Sequence, residues 1–375
     1  MKIAVITTSQ APASSANSIQ AFKVCQALAQ VDGPVRLWLP GSQAVPWERL
    51  ADYYGLHTPL DIRWLPSRRL LRRYDFALAA LREARAWGAQ VIYTWTAQAA
   101  LLALYLKLPV IYEVHDRPSG RVGPWLFRRI VRTPGKKRLL VITEALRLRL
   151  EQQFGLPLPP DLAQIAPSGV DLERYELLPE PAAARGALGL PERLTVGYIG
   201  HLYAGRGMHL LQRLAERFPQ VQFLWVGGKP EHVALWQSKL AAAEASNVIL
   251  TGFVANSKVS LYQAACEVLL MPYERSVAVS GGGDTADVCS PMKMFDYMAA
   301  GRAILSSDLP VLHEALNEGN AVFCPPEDPA AWEAALGRLL ADPAYRAALA
   351  EQARHDVKRY TLQERARRAL DGFHR

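Results

Sequence analysis

The 375-residue chain has only four cysteines, Cys25, Cys266, Cys289 and Cys324, and no two share the short spacing of a metal knuckle or a redox pair. Their scatter argues against a zinc site or a disulfide framework and points to a reducing compartment, the cytoplasm. Long apolar runs are missing as well. After Met1-Lys2 the apolar run ends at Ile6, too short for a signal-peptide core, and the longest purely apolar stretch, Ala99 to Leu106, is too short to span a bilayer. No G-x-x-x-x-G-K-[ST] segment occurs, which weakens an ATPase or kinase reading, and no strand-like run opens into G-x-G-x-x-G, which weighs against a dinucleotide oxidoreductase. There is no Asp-x-Asp pair, so a carboxylate-held Mg²⁺ has no evident place and neither metal nor cofactor is expected.

What is present in excess is positive charge, and it is unevenly placed. Residues 1–180 hold 23 Lys and Arg against 15 Asp and Glu, whereas residues 181–375 hold 20 of each, so the net +8 belongs to the first half. Within 63–149 the imbalance sharpens to 18 against 5, with Arg68-Arg69-Leu70-Leu71-Arg72-Arg73, Trp125-Leu126-Phe127-Arg128-Arg129 and Lys136-Lys137-Arg138. Basic residues beside Leu, Phe and Trp suit an anionic membrane surface; a solvated helix face is the plain alternative. No nucleic-acid recognition motif accompanies the charge, so nucleic acid is not expected as a partner.

Short apolar runs alternate with helical stretches throughout. In the first half they are Lys2–Thr8, Val35–Leu39, Gln90–Thr94, Val110–Val114 and Leu139–Thr143. In the second they are Leu194–Gly200, Val221–Val226, Asn247–Thr251, Glu267–Met271, Ala303–Ser306 and Ala321–Cys324. Near-continuous apolar runs of this length fit buried parallel strands. The fold class expected is therefore α/β, with two doubly wound Rossmann-like domains facing an interdomain cleft, joined near the Pro- and Ala-rich Leu178–Ala184.

Two segments in the second half are suited to an anion. Ser290-Pro291-Met292-Lys293 opens a helix in which Ser290 caps the first turn, Pro291 takes the first helical position and Lys293 adds a charge to the unpaired N–H groups. Asp296 lies one turn on, placed to grip a diol, and phosphate beside ribose suggests a nucleotide. An ordinary capped amphipathic helix reads the same way. Gly200-His201-Leu202-Tyr203-Ala204-Gly205-Arg206-Gly207 follows a strand, and there His201 and Arg206 offer charge while the glycines let backbone approach a phosphate; a plain strand-to-helix loop is the alternative.

Taken together, Gly197-Tyr198-Ile199-Gly200-His201-Leu202 with Arg206-Gly207, then Phe223–Gly228, Val248–Phe253 and Ser290–Gly301 resemble glycosyltransferase family 4, the retaining nucleotide-sugar transferases of GT-B fold. Tyr112-Glu113-Val114-His115-Asp116, Val141–Glu144 and Ala166–Asp171 resemble its acceptor-domain landmarks. The resemblance implies an acceptor-side domain over 1–178, a nucleotide-sugar domain over 179–358 and a C-terminal helix over 359–375 that crosses back to the first domain. It implies transfer of a sugar from a UDP- or GDP-linked donor to a glycan, lipid-linked or small-molecule hydroxyl, with retention and without metal. His115 then falls at the family's active-site histidine near the anomeric carbon, and Arg206 and Lys293 at the groups that stabilise the departing diphosphate. Gly200, His201, Gly207, Gly228, Ser290, Pro291, Met292 and Asp296 fall at donor-binding positions, with His201 standing where arginine is common. Asp296 takes the second position of the family's glutamate pair, and the first is Val288. A carboxylate from Asp284 or Asp287, in the loop with Gly282 and Gly283, is one substitute open there, and a flexible lid is the other reading of that glycine-rich loop. Glu113 and Asp116 are the alternative acid/base residues, or serve to orient His115. A nucleotide-sugar epimerase of the same fold and a non-catalytic donor-binding partner of another transferase are the competing readings, and the protein is expected in the cytoplasm, with the inner membrane face open to it.

Overall fold

The computed structural model describes residues 1–71, 73–276 and 285–374, and the chain forms two compact units: residues 1–169 with 362–375, and residues 170–361. The N-terminal unit alternates β1 (Ile3–Ile6), α1 (Ala16–Val31), β2 (Val35–Pro40), α2 (Trp47–Tyr54), β3 (Asp61–Leu65), α3 (Tyr74–Trp87), β4 (Val91–Thr94), α4 (Ala97–Tyr105), β5 (Val110–Val114), α5 (Gly123–Arg132), β6 (Lys137–Val141), α6 (Glu144–Phe154) and β7 (Ala163–Ile165). Its seven strands are ordered β3-β2-β1-β4-β5-β6-β7 and every pairing is parallel.

The central strands β1, β4 and β5 are buried at every residue, which explains their near-continuous apolar sequence. The two edges escaped the sequence reading. Asp61–Leu65 carries an aspartate and an arginine because it is an edge strand with one side in solvent, and Arg36 Nε meets Asp61 Oδ2 at 2.6 Å across the pair. Ala163–Ile165 is three residues long, below the length at which a period can be read.

The C-terminal unit runs α7 (Pro181–Leu188), β8 (Thr195–Ile199), α8 (Met208–Arg217), β9 (Gln222–Val226), α9 (Pro230–Ala242), β10 (Val248–Gly252), α10 (Asn256–Ala264), β11 (Val268–Met271), α11 (Met292–Ala300), β12 (Ala303–Ser307), β13 (Val322–Cys324), α12 (Pro329–Ala341) and α13 (Pro343–Asp356). Its six strands are ordered β10-β9-β8-β11-β12-β13, again all parallel. In both sheets the strand order reverses once, between β1 and β4 and between β8 and β11. The loops leaving the carboxyl ends at such a reversal are where an open α/β sheet offers room for a ligand.

The Leu178–Ala184 stretch is not a free connector. Its last four residues, Pro181–Ala184, form the first turn of α7, since proline's fixed φ suits the start of a helix and alanine is the best helix former. The final helix α14 (Leu362–Leu370) belongs to the N-terminal unit, where Leu362, Ala366, Ala369, Leu370 and the following Phe373 join the core made by Phe22, Leu28, Leu37 and Tyr93. Each fully buried large apolar side chain there contributes roughly 1.5–3 kcal/mol, enough in sum to hold a nine-residue helix that would not form alone.

Candidate active site

In the C-terminal unit the groups picked from the sequence converge at the sheet reversal. Strand β8 ends at Ile199 and delivers Gly200 at φ +154°, where an added Cβ would lie 2.5 Å from Lys293 Nζ. Only glycine lets the backbone pass that close to the lysine. Gly207, at φ +66°, is the N-cap of α8 and packs so tightly that a Cβ would overlap the Pro272 carbonyl at the end of β11. Glu274 Oε1 accepts from Gly207 N–H at 3.2 Å, so a carboxylate already sits at this helix start.

The two cations come together over tyrosine rings. Lys293, on the first turn of α11, places Nζ 4.1 Å from the Tyr198 ring centroid and 5.4 Å from that of Tyr273. Arg206 Cζ lies 4.8 Å from the Tyr273 centroid and 5.2 Å from that of Tyr203, and its Nη2 donates to Tyr203 Oη at 3.1 Å. Lys293 Nζ and Arg206 Nε are both shielded from solvent with no hydrogen-bond partner, and neither side chain forms an ion pair among the described residues. Ring faces compensate a cation only in part. Burial, with the Arg206 charge adding to it, holds the Lys293 ammonium well below the usual lysine range. Two cations with shielded nitrogens and no counter-charge among the described residues make a place for an anion.

His201 behaves differently from its sequence reading. It stacks on Tyr203 with centroids 5.2 Å apart, its carbonyl accepts from Tyr198 Oη at 2.6 Å, and burial together with the Arg206 and Lys293 charges lowers its pKa to about 4. The imidazole is therefore neutral near pH 7 and supplies no charge, because burial first, and then the cations beside it, suppress its protonation. Ser290 is also corrected. Pro291, not Ser290, is the N-cap of α11, no side chain caps the helix, and Met292 is its first residue. The helix thus starts one position later than proline's preference suggested. Gly228, at φ +94°, packs on Leu202 in the wall beside Gly200.

Asp296 is half-buried and is hydrogen-bonded with the buried Tyr175, whose hydroxyl oxygen also lies 2.9 Å from Gln263 Oε1. Val288 is fully buried apolar packing, so the position of the first family glutamate carries no acid; Asp287 beside it is exposed. Gly282, Gly283 and Asp284 lie outside the described residues. No metal-holding group of carboxylates, histidines and cysteines occurs at Arg206 and Lys293 among the described residues.

In the N-terminal unit, His115 follows the carboxyl end of β5 and lines a cavity of about 440 Å³ together with Asn17, Trp95, Gln98, Asp116 and Ser119. The loops after β4 and β5 and the start of α1 form it, beside the first sheet's reversal. Glu113, two residues before His115 and on the same side of the strand, is fully buried and its Oε1 lies 2.5 Å from His115 Nε2. Burial alone opposes its charge, but Arg365 and then His115 outweigh that and hold the Glu113 carboxyl well below the usual carboxylate range. Glu113 is therefore an ionised acceptor that orients the histidine, not a group poised to exchange a proton.

Tyr198, Tyr203, Tyr273 and Arg365 were not singled out from the sequence. Tyr273 had a signal, being the second residue past an apolar strand. Arg365 had one too: it sits three residues after Leu362 and four before Ala369, on what reads as the apolar face of the last helix.

Comparison with known proteins bears on the family and the fold. The family model "Glycosyltransferase Family 4" matches residues 18–174 and "Glycosyl transferases group 1" matches 193–342. A D-inositol 3-phosphate glycosyltransferase of Corynebacterium urealyticum is 28% identical over 226 residues, covering 56% of this chain and 50% of that protein. A phosphatidyl-myo-inositol mannosyltransferase of Mycolicibacterium smegmatis is 27% identical over 338 residues, covering 84% and 80%. The chain thus spans about half the length of the first of these relatives and more of the second. Among solved structures, Anabaena HepE in complex with UDP superposes with a TM-score of 0.75 at 16% identity, covering 99% of both chains, and a Rickettsia africae glycosyltransferase with 0.78 at 11%, covering 99% and 98%. Both likenesses establish the fold: two Rossmann-like domains of GT-B type.

Proposed function

The chain belongs to the group 1, family 4 glycosyltransferases, and from that premise we propose that it moves a hexosyl group from a nucleoside-diphosphate sugar to an acceptor hydroxyl, with retention and without metal. The observation that carries this reading is the pair Arg206 and Lys293, desolvated, lacking an ion-pair partner among the described residues, and sharing the Tyr273 ring at the carboxyl ends of β8 and β11.

A departing nucleoside diphosphate accumulates negative charge on its β-phosphate as the glycosidic C–O bond breaks. Preorganised cations in a water-poor site stabilise that charge strongly, because they need no reorganisation when it forms. Arg206 and Lys293 supply two such charges, and the N–H groups opening α11 supply dipoles. The acceptor hydroxyl attacks the anomeric carbon on the face the phosphate leaves, a new C–O bond forms there, and the phosphate oxygen takes the hydroxyl proton. No enzyme nucleophile is required, and the two cations stand where a divalent ion would otherwise serve. His115, with one ring nitrogen tied to Glu113, offers the other to a sugar hydroxyl.

UDP is the donor nucleotide we favour, since the superposing Anabaena protein was crystallised with UDP, with GDP as the alternative. The acceptor is a polyol or glycan hydroxyl bound in the cavity around His115, in line with the inositol-directed names of the relatives. No described helix is long and apolar enough to cross a membrane. On α5, however, Trp125, Arg128, Arg129 and Arg132 are exposed while Val122 and Leu126 line the cavity, so a lipid-linked acceptor at an anionic surface fits this face. Thermal shift against UDP, GDP, UDP-glucose and GDP-mannose tests the reading: one nucleotide series raises the melting temperature in proportion to the logarithm of its concentration. No shift from any of them rejects it.

A further inference from the structure

We infer that Arg365, on the C-terminal helix, is a positioning residue for His115, acting through the buried Glu113 carboxylate.

Arg365 is 4% exposed, and every N–H of its guanidinium is used. Nε donates to Pro167 O at 2.9 Å and Nη2 to Ala166 O at 3.3 Å; Nη1 donates to Tyr93 Oη at 3.0 Å and to Glu113 Oε2 at 3.1 Å; Nη2 also meets Glu113 Oε1 at 2.6 Å. Five donors thus find five acceptors, a geometry that lysine's three donors cannot reproduce. Glu113 receives the arginine on both oxygens, Tyr93 donates to Oε2, and Gln20 Nε2 approaches Oε1 at 3.4 Å. The remaining donor to Oε1 is His115 Nε2 at 2.5 Å.

An ionised carboxylate only accepts, so this contact fixes the ring proton on Nε2 and leaves Nδ1 as the ring's acceptor. Arg365 keeps the carboxylate charged and motionless, and through it the ring. Fold stability alone gives little reason for such an arrangement: a buried ion pair is commonly replaceable by apolar side chains of similar size at small cost or even gain. Its position two residues from His115 supplies the reason. The last helix then does more than fill the core around Phe22 and Leu370, since its docking sets the tautomer of a residue 250 positions earlier in the chain.

The inference rests on His115 acting in transfer, so the test separates the two claims. In the full-length chain with ¹⁵N-labelled histidine, wild type is expected to show His115 with a protonated Nε2 and an unprotonated Nδ1. The E113Q/R365M variant removes both charges together, and glutamine can either donate or accept, so the two tautomers should interconvert and the ring shifts average. Hydrolysis of UDP-glucose or GDP-mannose, whichever wild type turns over, should lose at least tenfold in kcat while KM changes less than threefold, and R365K should recover part of that loss. An unchanged Nε2–H signature in E113Q/R365M, or full turnover in R365K and R365M alike, overturns the assignment of Arg365. Averaged ring shifts with wild-type turnover in both E113Q/R365M and H115A uphold the positioning and overturn the place of His115 in the reaction.

Discussion

Replacing Lys293 with methionine removes one charge from the anion site while keeping the length of the side chain, and activity and stability should respond in opposite directions. Two unit charges about 4 Å apart attract by about 4 kcal/mol at an effective dielectric near 20. Arg206 remains beside the site and water can enter the space left by the ammonium, so roughly 2–3 kcal/mol of leaving-group stabilisation should disappear, a fall of roughly 30- to 160-fold in kcat. The ligand-free fold should gain. Burial and Arg206 hold the lysine below its ordinary value, so the unfolded chain binds more protons between the folded and ordinary values, and wild-type stability rises with pH across that window. K293M should melt higher than wild type at pH 7 and lose that rise. A bound diphosphate should push the Lys293 pKa back up, so calorimetry in two buffers of different ionisation enthalpy, repeated up the pH scale toward the ordinary lysine value, should show proton uptake by wild type and less by K293M. Wild-type turnover in K293M, or a lower melting temperature with unchanged UDP affinity, would refute the reasoning.

Three further outcomes are expected. Because His201 is lowered to about 4, H201Q should bind UDP within about threefold of wild type at every pH from 6 to 8; a loss that grows toward pH 6 would mean that the imidazolium takes part. D296N should weaken UDP binding by about tenfold, the range of one charge-assisted hydrogen bond, and leave acceptor KM unchanged; an effect on the acceptor alone would remove Asp296 from the donor site. Liposomes containing phosphatidylserine should pull the protein down at low ionic strength and release it as salt rises, with W125S binding more weakly; retention in the supernatant at low salt would dismiss the α5 surface.

Central strands were legible in the sequence because burial on both faces leaves them almost no polar residues, as in Ile3–Ile6 and Val268–Met271. Edge strand Asp61–Leu65 was not, since one side faces water and its charges pair across the sheet edge. Lys293 and Arg206 could be picked out because glycines and a helix start frame them. The tyrosine floor beneath them could not, since it is assembled from the ends of β8 and β11, which are remote in sequence and adjacent only in the sheet order. His201 looked like a charge because sequence reading takes each residue singly, while its state is decided by burial in the fold, with two neighbouring cations adding to it. Arg365 carried a signal in its place on the apolar face of the last helix, but its role could not be read until its partner Glu113, on a strand far earlier in the chain, was known.

The grip on the diphosphate is tested most directly by comparing UDP with uridine, and GDP with guanosine, on wild type and on the R206M/K293M variant by calorimetry. Wild type should prefer the diphosphate by at least about a hundredfold for the nucleotide it uses, and the variant should bind diphosphate and nucleoside within a fewfold of each other. A variant that keeps the wild-type preference would show that the anion is held elsewhere, and the account given for the C-terminal unit would fail.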